Sequence, residues 1–407
     1  MALTNYTRSN VDKEAIIHSV LERIAYKVDI GNARSKVEEA VSSELRQRGV
    51  FITQLERMQL IDTIVSRLVG WGPLEQLLPP KRTDLIEIAV TPDGKVWVLK
   101  KGERTFEEHD LKLTETDVWR FLDAILGAQG KSLTEATPSV DAQLPPTPDN
   151  PAGGRIKALH PCLVGGSFPA VNIRLFEARP VMPEQIVAWG EAPQELLDEL
   201  GRAIKARLRI LIGGGTATGK TTLLSALCNY IPRTERIIKI EDPPEIFIDH
   251  PHVVTIAARP MPPGSIVPAY TVKDGVDDAL RMRPDRLIVG EVRKGDAALA
   301  LFRAQMSDHA GLSTFHADSP HAAQQRLSLI MFADAGIRTE AAKGLFAQAI
   351  DIYVQLGFDE KGVRRVMGVW QVEENLKGGD VVFTPIWRYS PPQNWQKVGE
   401  ISRRREV

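Results

Sequence analysis

Residues 209–221 read R-I-L-I-G-G-G-T-A-T-G-K-T, and this stretch restricts the fold more than any other. Its apolar start has the length and texture of a buried strand, and the residues after Lys220, TTLLSALCNYI, read as a helix. Between them, Gly214 to Thr221 satisfies G-x-x-x-x-G-K-[ST] in the strand-to-helix setting that this motif requires. Glycines let successive N–H groups point inward around phosphate oxygens, and the helix opening near Lys220 adds the positive end of its dipole. The expected cradle is Gly214, Gly215, Thr216, Ala217, Thr218, Gly219, Lys220, Thr221 and Thr222. In it Lys220 offers a point charge to the β and γ phosphates of ATP, and Thr221 a hydroxyl to Mg2+.

From Arg209 the order strand, glycine loop, helix, strand continues through RIIKIED and DRLIVGE, the signature of a parallel α/β sheet. Ligands of such sheets bind beyond the carboxyl ends of the strands, so acids at those ends deserve weight. RIIKI runs into Glu241-Asp242-Pro243-Pro244-Glu245, which reads either as part of the site or as an acidic, proline-rich stop to the strand. DRLIV runs into Gly290 and then Glu291. Many phosphate-loop enzymes end this strand in an aspartate, here replaced by Gly290 with the carboxylate one residue later. Glu291 is expected to hold the Mg2+ shell or polarise the attacking water, the alternative being a surface ion pair with Arg293. His309 and His316 flank G-L-S-T-F, open to a structural or a chemical reading.

A chain of 407 residues needs more than one core. Residues 1–70 repeat apolar positions at helical spacing, and residues 71–175 read as an α/β domain. In that domain IEIAV and VWVLK flank the turn Pro92-Asp93-Gly94, which predicts a hairpin, and a helix is expected near Leu113 to Leu126. Pro138 to Gly166 reads as loops and strand edges. Residues 176–195 are expected to link this half to an ATPase domain at 196–407, and Pro260 to Pro268 to form a surface loop.

The chain carries 51 basic and 52 acidic side chains, and nothing marks a basic, aromatic single-strand groove, so direct nucleic-acid binding is not expected. No stretch approaches the roughly 18 apolar residues of a spanning helix, and MALTNYTRSN lacks the apolar core of a signal peptide. A cytosolic location is expected. Cys162 and Cys228 stand too far apart for a CxxC motif and are read as packing residues. The basic tail Arg403-Arg404-Arg405 is expected to touch anionic lipid or a partner, or nothing.

These residues resemble the type II and type IV secretion ATPases, most closely the CpaF branch that powers tight-adherence (Flp) pilus assembly. The resemblance spans about residues 70 to 375, from GPLEQLL through DAQL, GGRIKA and VNIRLF to the glycine loop. IEDPPE then looks like the family's Asp box, LRMRPDRLIVGEVR like its atypical Walker B, and AQMSDHAGLSTFHA like its His box. The resemblance implies a RecA-like C-terminal ATPase domain and an N-terminal α/β domain of PAS-like fold preceded by helices. It also implies a homohexamer docked on inner-membrane platform proteins, peripheral on the inner face of the bacterial inner membrane. Carried over, the Asp-box acids fall on Glu241 and Glu245, the Walker B glutamate on Glu291 and the His-box histidine on His316. The phosphate-contacting arginines fall on Arg155 and Arg174. Ala217 stands where relatives usually have glycine, and Ser307-Asp308-His309 replaces Thr-Gly-His. The expected function is a hexameric ATP-hydrolysing motor for pilus assembly or secretion. The rivals are a conjugation ATPase moving DNA-protein substrates and a non-catalytic nucleotide-binding regulator.

Overall fold

The computed structural model describes residues 13–24, 33–69, 71–103, 105–145, 153–176, 180–259, 261, 267–391 and 394–404. The chain divides into two compact units, Met1–Phe176 and Glu177–Val407.

The first unit opens with α1 (Lys13–Ile24), α2 (Ala33–Arg48) and α3 (Gln54–Val69). The helical spacing of Ile16, Ile17, Val20, Leu60, Ile61 and Ile64 closes a core of their own. After a 3-10 turn at Gly72–Leu77 come β1 (Leu85–Val90), β2 (Val96–Lys100), β3 (Glu107–His109) and α4 (Glu115–Gly127). β4 (Ser139–Leu144), β5 (Gly154–Leu159), the short α5 (Pro161–Val164) and β6 (Ala170–Leu175) complete it. β1 and β2 form the expected hairpin, with Gly94 at φ 81° in its turn. A reciprocal capping box between Thr114 and Asp117 starts α4, whose Val118, Phe121, Leu122 and Ile125 join the strand residues in one core. All pairings in the sheet are antiparallel, in the order β3-β2-β1-β6-β5-β4. The stretch read as loops and strand edges thus holds two full strands, and β5 is an interior one. Their alternation of buried with more exposed residues is short and flanked by prolines, which hid it.

The second unit contains α6 (Pro183–Ala188), α7 (Gln194–Lys205), β7 (Ile210–Gly214), α8 (Lys220–Cys228), β8 (Ile237–Glu241) and β9 (Val253–Ala257). Then follow α9 (Val272–Ala279), a 3-10 turn at Leu280–Met282, β10 (Arg286–Val289), α10 (Gly295–Met306) and β11 (Ala310–His316). The unit ends with α11 (Pro320–Ala335), α12 (Thr339–Ala349), β12 (Ile352–Phe358), β13 (Arg364–Val372), β14 (Phe383–Ser390) and β15 (Asn394–Lys397). Among the described residues its sheet runs β15-β14-β13-β12-β7-β11-β10-β8-β9. Neighbours from β12 to β9 pair in parallel, and β12 to β15 form an antiparallel meander. β7, β8 and β10 are buried along their whole length, as strands covered by helices on both faces must be. Ile210 and Ile212 enter one core, with α7 and α8, while Leu211 enters the other, with α10 and α11. This is the parallel α/β sheet that the sequence predicts, covered by helices on both faces.

Residues 180–195, expected as a linker, belong to this unit, where Val181, Ile186 and Ala192 are core residues; residues 177–179 lie outside the described ones. The tail also departs from expectation. Arg403 bonds to the carbonyls of Ala347, Ile350 and Val372 and sits 2.6 Å from the Asp351 carboxylate, so it is a half-buried anchor of the tail, while Arg404 is exposed. Arg405 and the start of the chain lie outside the described residues, as does most of the loop at 260–268. Cys228 is buried, which pushes its thiol up to about 12, whereas Cys162 is exposed and packs nothing. Among the described residues no helix is long and apolar enough to cross a membrane.

Candidate nucleotide site

Parallel strands carry their carboxyl ends to one edge, and the sequence motifs meet there. β7 delivers the loop and α8 leaves it, with Gly219 as cap in the left-handed region at φ 92°. Ala217 also lies there, at φ 61°, a conformation that costs a residue with a Cβ about 1–2 kcal/mol. The Lys220 ammonium donates to the carbonyls of Gly214 and Gly215 at 3.0 and 2.9 Å, and Thr218 donates to Gly215 at 2.9 Å. These bonds turn the Gly214 and Gly215 carbonyls toward the loop's own side chains. A Cβ on Gly213 would lie 1.8 Å from the Tyr353 hydroxyl oxygen, so that glycine is imposed by the strand beside it.

Glu291, two strands away at the end of β10, lies 4.0 Å from Lys220 and accepts from Arg293 at 2.6 Å. It thus pairs with Arg293 and also faces the loop lysine. Glu241 is placed differently. Its side chain is 2% exposed, one oxygen accepts from the N–H groups of Glu245 and Ile246 at 2.8 Å each, and the other sits 2.6 Å from Lys239. Lys239 in turn donates to the Ile246 carbonyl. Glu241 thus clamps the turn that carries the half-buried Glu245. A Cβ on Gly290 would come within 3.0 Å of the Glu241 Cγ. A larger residue at 290 would therefore crowd the Glu241 side chain.

His316 ends β11 and is the sheet partner of Gly214, beside the loop. His309 precedes the same strand, about 20 Å away at the opposite edge of the sheet, and lies outside this cluster. Arg155 and Arg174 face each other across β5 and β6 in the first unit. Arg174 is exposed, flanked across β1 by Glu87, and Arg155 lies 3.5 Å from Asp141. Two guanidiniums side by side repel and form a fork receptive to an anion.

Sequence reasoning missed Glu191. It is 3% exposed, and its Oε2 has no hydrogen-bond partner among the described residues. That oxygen lies 3.7 Å from where a Cβ of Gly219 would stand, and Arg364 Cδ is 3.5 Å from the same point. Burial pushes its carboxyl up to about 7, against the pull of Arg364 and Arg365. A lone acid in W-G-E-A-P belongs to no periodic pattern, and its neighbours Gly219 and Arg364 are remote in sequence.

Among the described residues no group of three or more acids, histidines or cysteines could hold a metal ion. The oxygen donors at hand, Thr221 and Glu291, suit Mg2+, which binds through one or two protein oxygens together with substrate phosphates and water.

Residues 152–352 match the model of the family described as Type II/IV secretion system protein. A putative conjugal transfer protein of Mycobacterium tuberculosis is 31% identical over 329 residues, 79% of this chain and 89% of the relative. A probable conjugal transfer protein TrbB of Sinorhizobium fredii is 27% identical over 300 residues, 73% of this chain and 86% of that one. Among solved structures, the pilus retraction motor PilT with bound ADP shares the fold, with a TM-score of 0.52 at 19% identity over 76% of this chain and 81% of that one. The chain belongs to the type II/IV secretion system protein family.

Proposed function

We propose that the chain is an ATP-hydrolysing motor subunit that works as a homohexamer on the inner face of the bacterial inner membrane, driving pilus assembly or secretion through platform proteins. The observation that carries this reading is the phosphate loop with Lys220 held 2.9–3.0 Å from its carbonyls and 4.0 Å from Glu291. Here the loop N–H groups and Lys220 take the phosphates, and Glu291 orients the attacking water. Thr221 and Glu291 would hold Mg2+ together with the nucleotide, and the ion would supply charge neutralisation to the phosphates. Glu245, from the turn after β8, and His316, from the end of β11, border the reacting end, and Glu241 acts by holding the Glu245 turn. Arg155 and Arg174 supply the cationic fork of the first unit to a nucleotide's phosphates. Steady-state phosphate release tests this reading. Lys220→Ala should abolish turnover, and Glu291→Gln should keep ATP binding while losing turnover. Turnover by Lys220→Ala at the parent rate would remove the assignment.

The similarity to conjugal transfer proteins favours a second reading, a conjugation ATPase. Neighbouring genes separate the two: prepilin and prepilin peptidase for a pilus motor of the CpaF kind, relaxase and coupling protein for conjugation.

A further inference from the structure

The Glu191 carboxylate is the one buried acid of the site for which neither the phosphate chemistry nor the clamp gives a use. It packs behind the cap of the phosphate-loop helix, on the side of β7 away from Glu291. The sheet order settles the sides: β10, which carries Glu291, lies two strands from β7 in one direction, and β13, which begins at Arg364, lies two strands in the other. Arg364 pairs with Phe358 at the carboxyl end of β12, so it reaches the same edge as the loop. The backbone holds Glu191 in place, its N–H donating to Ile186 at 3.0 Å and its carbonyl accepting from Val366 at 2.8 Å. These two bonds fix the backbone at residue 191, and the side chain that leaves it is 3% exposed.

We propose that Glu191 is a positioning residue that couples anion binding by the phosphate loop to uptake of one proton. The inference rests on the nucleotide reading of the loop. A charged Glu191 sets a negative group behind the very N–H groups that receive a polyphosphate, in a water-poor setting where such repulsion is weakly screened. A neutral Glu191 removes the repulsion. Binding of the anion therefore favours the protonated form, and by linkage protonation favours binding. The charged groups facing the carboxylate are Arg364 and Arg365, both from β13, and neither changes charge near neutral pH. Arg365 is already paired with Asp359 at 3.0 Å, so Arg364 is the cation left to moderate Glu191. Burial places the carboxyl near 7, within the physiological range. No atom is transferred except the proton, which comes from solvent and settles on Oε2.

The test is the Kd of ATP for the full chain between pH 6.5 and 8.5, for the parent, Glu191→Gln and Glu191→Asp. Over this range the parent should weaken about tenfold more than Glu191→Gln, since one linked proton gives at most a tenfold change per pH unit. At pH 8.5 Glu191→Gln, which mimics the neutral acid, should bind tighter than the parent, and Glu191→Asp should restore a pH slope. Calorimetry in two buffers of different ionisation enthalpy should show the parent taking up a fraction of a proton near pH 7.5, and Glu191→Gln taking up less. That measurement on the parent alone decides the matter if the variants do not fold: no proton uptake beyond that of the nucleotide's own phosphate overturns the proposal. Equal affinity and equal pH slope for the parent and Glu191→Gln overturn it as well, while leaving the nucleotide reading standing. Absence of ATP binding by the parent at every pH would remove both.

Discussion

Ala217 shows how one residue can carry a loop's cost. Its φ of 61° is one that glycine adopts freely and alanine does not. Ala217→Gly relieves about 1 kcal/mol of that strain and returns roughly the same in unfolded-chain entropy, so its thermal midpoint should stay within about 2 °C of the parent and its ATP affinity should be retained. Ala217→Val, branched at Cβ, should lose both. A fall of several degrees for the glycine variant would mean that the Ala217 methyl packs against something essential. Glu191 gives a prediction in pH. Its folded pKa is raised to about 7, above the usual carboxylate range, so its contribution to stability is fully present below about pH 4.5 and is lost as pH rises through about 7. Glu191→Gln should therefore raise the thermal midpoint at pH 8 and leave it unchanged at pH 5. Equal midpoints at pH 8 would contradict the burial argument.

At the scale of elements, the turn after β8 depends on one carboxylate. Glu241→Ala would remove the acceptor that the N–H groups of Glu245 and Ile246 share and leave buried Lys239 without this carboxylate. Breaking such a pair from one side costs about 3–5 kcal/mol, or roughly 10 °C in a domain of this size. Thermal unfolding without nucleotide should show that loss. An unchanged midpoint with lost turnover would instead make Glu241 a purely chemical group. The strap at the chain's end follows the same logic: Asp351 is wholly buried, 2.9 Å from Arg209 and 2.6 Å from Arg403. Arg403→Ala should lower the midpoint by a similar amount, and a change under about 1 °C would show the strap to be ornamental. Local signals explain which of these elements the sequence displayed. The glycine loop, the β1–β2 hairpin and the helix at Glu115 carry turn residues, capping boxes and periodicity within a few residues of each other. Glu241's clamp, the crowding at Gly290 and the anchoring of Arg403 depend on partners as far as 56 positions away. Composition cannot display such pairings. The acids of IEDPPE looked alike on the page, and only their geometry separates a clamp from a half-exposed carboxylate.

For the whole molecule, the division at Phe176 and Glu177 sets the sharpest test of how the site is completed. The second unit has its own sheet, covered on both faces by two cores, and it holds the phosphate loop, Glu241, Glu245, Glu291 and His316. A chain of residues 177–407 should therefore fold by itself in one cooperative transition and bind ATP within about tenfold of the whole chain. Arg155 and Arg174 belong to the first unit, and under the proposed function their fork stabilises charge that develops on the phosphates in the transition state. Cations used in this way contribute factors of about 10³ or more to turnover and little to ground-state binding. The shortened chain should thus lose turnover by at least about a hundredfold, and Arg155→Ala and Arg174→Ala in the whole chain should reproduce most of that loss with ATP binding kept. Adding the double variant separates the arginines from the rest of the unit: if it turns over at the parent rate while residues 177–407 do not, the first unit matters for assembly of the ring and the fork does not touch the nucleotide.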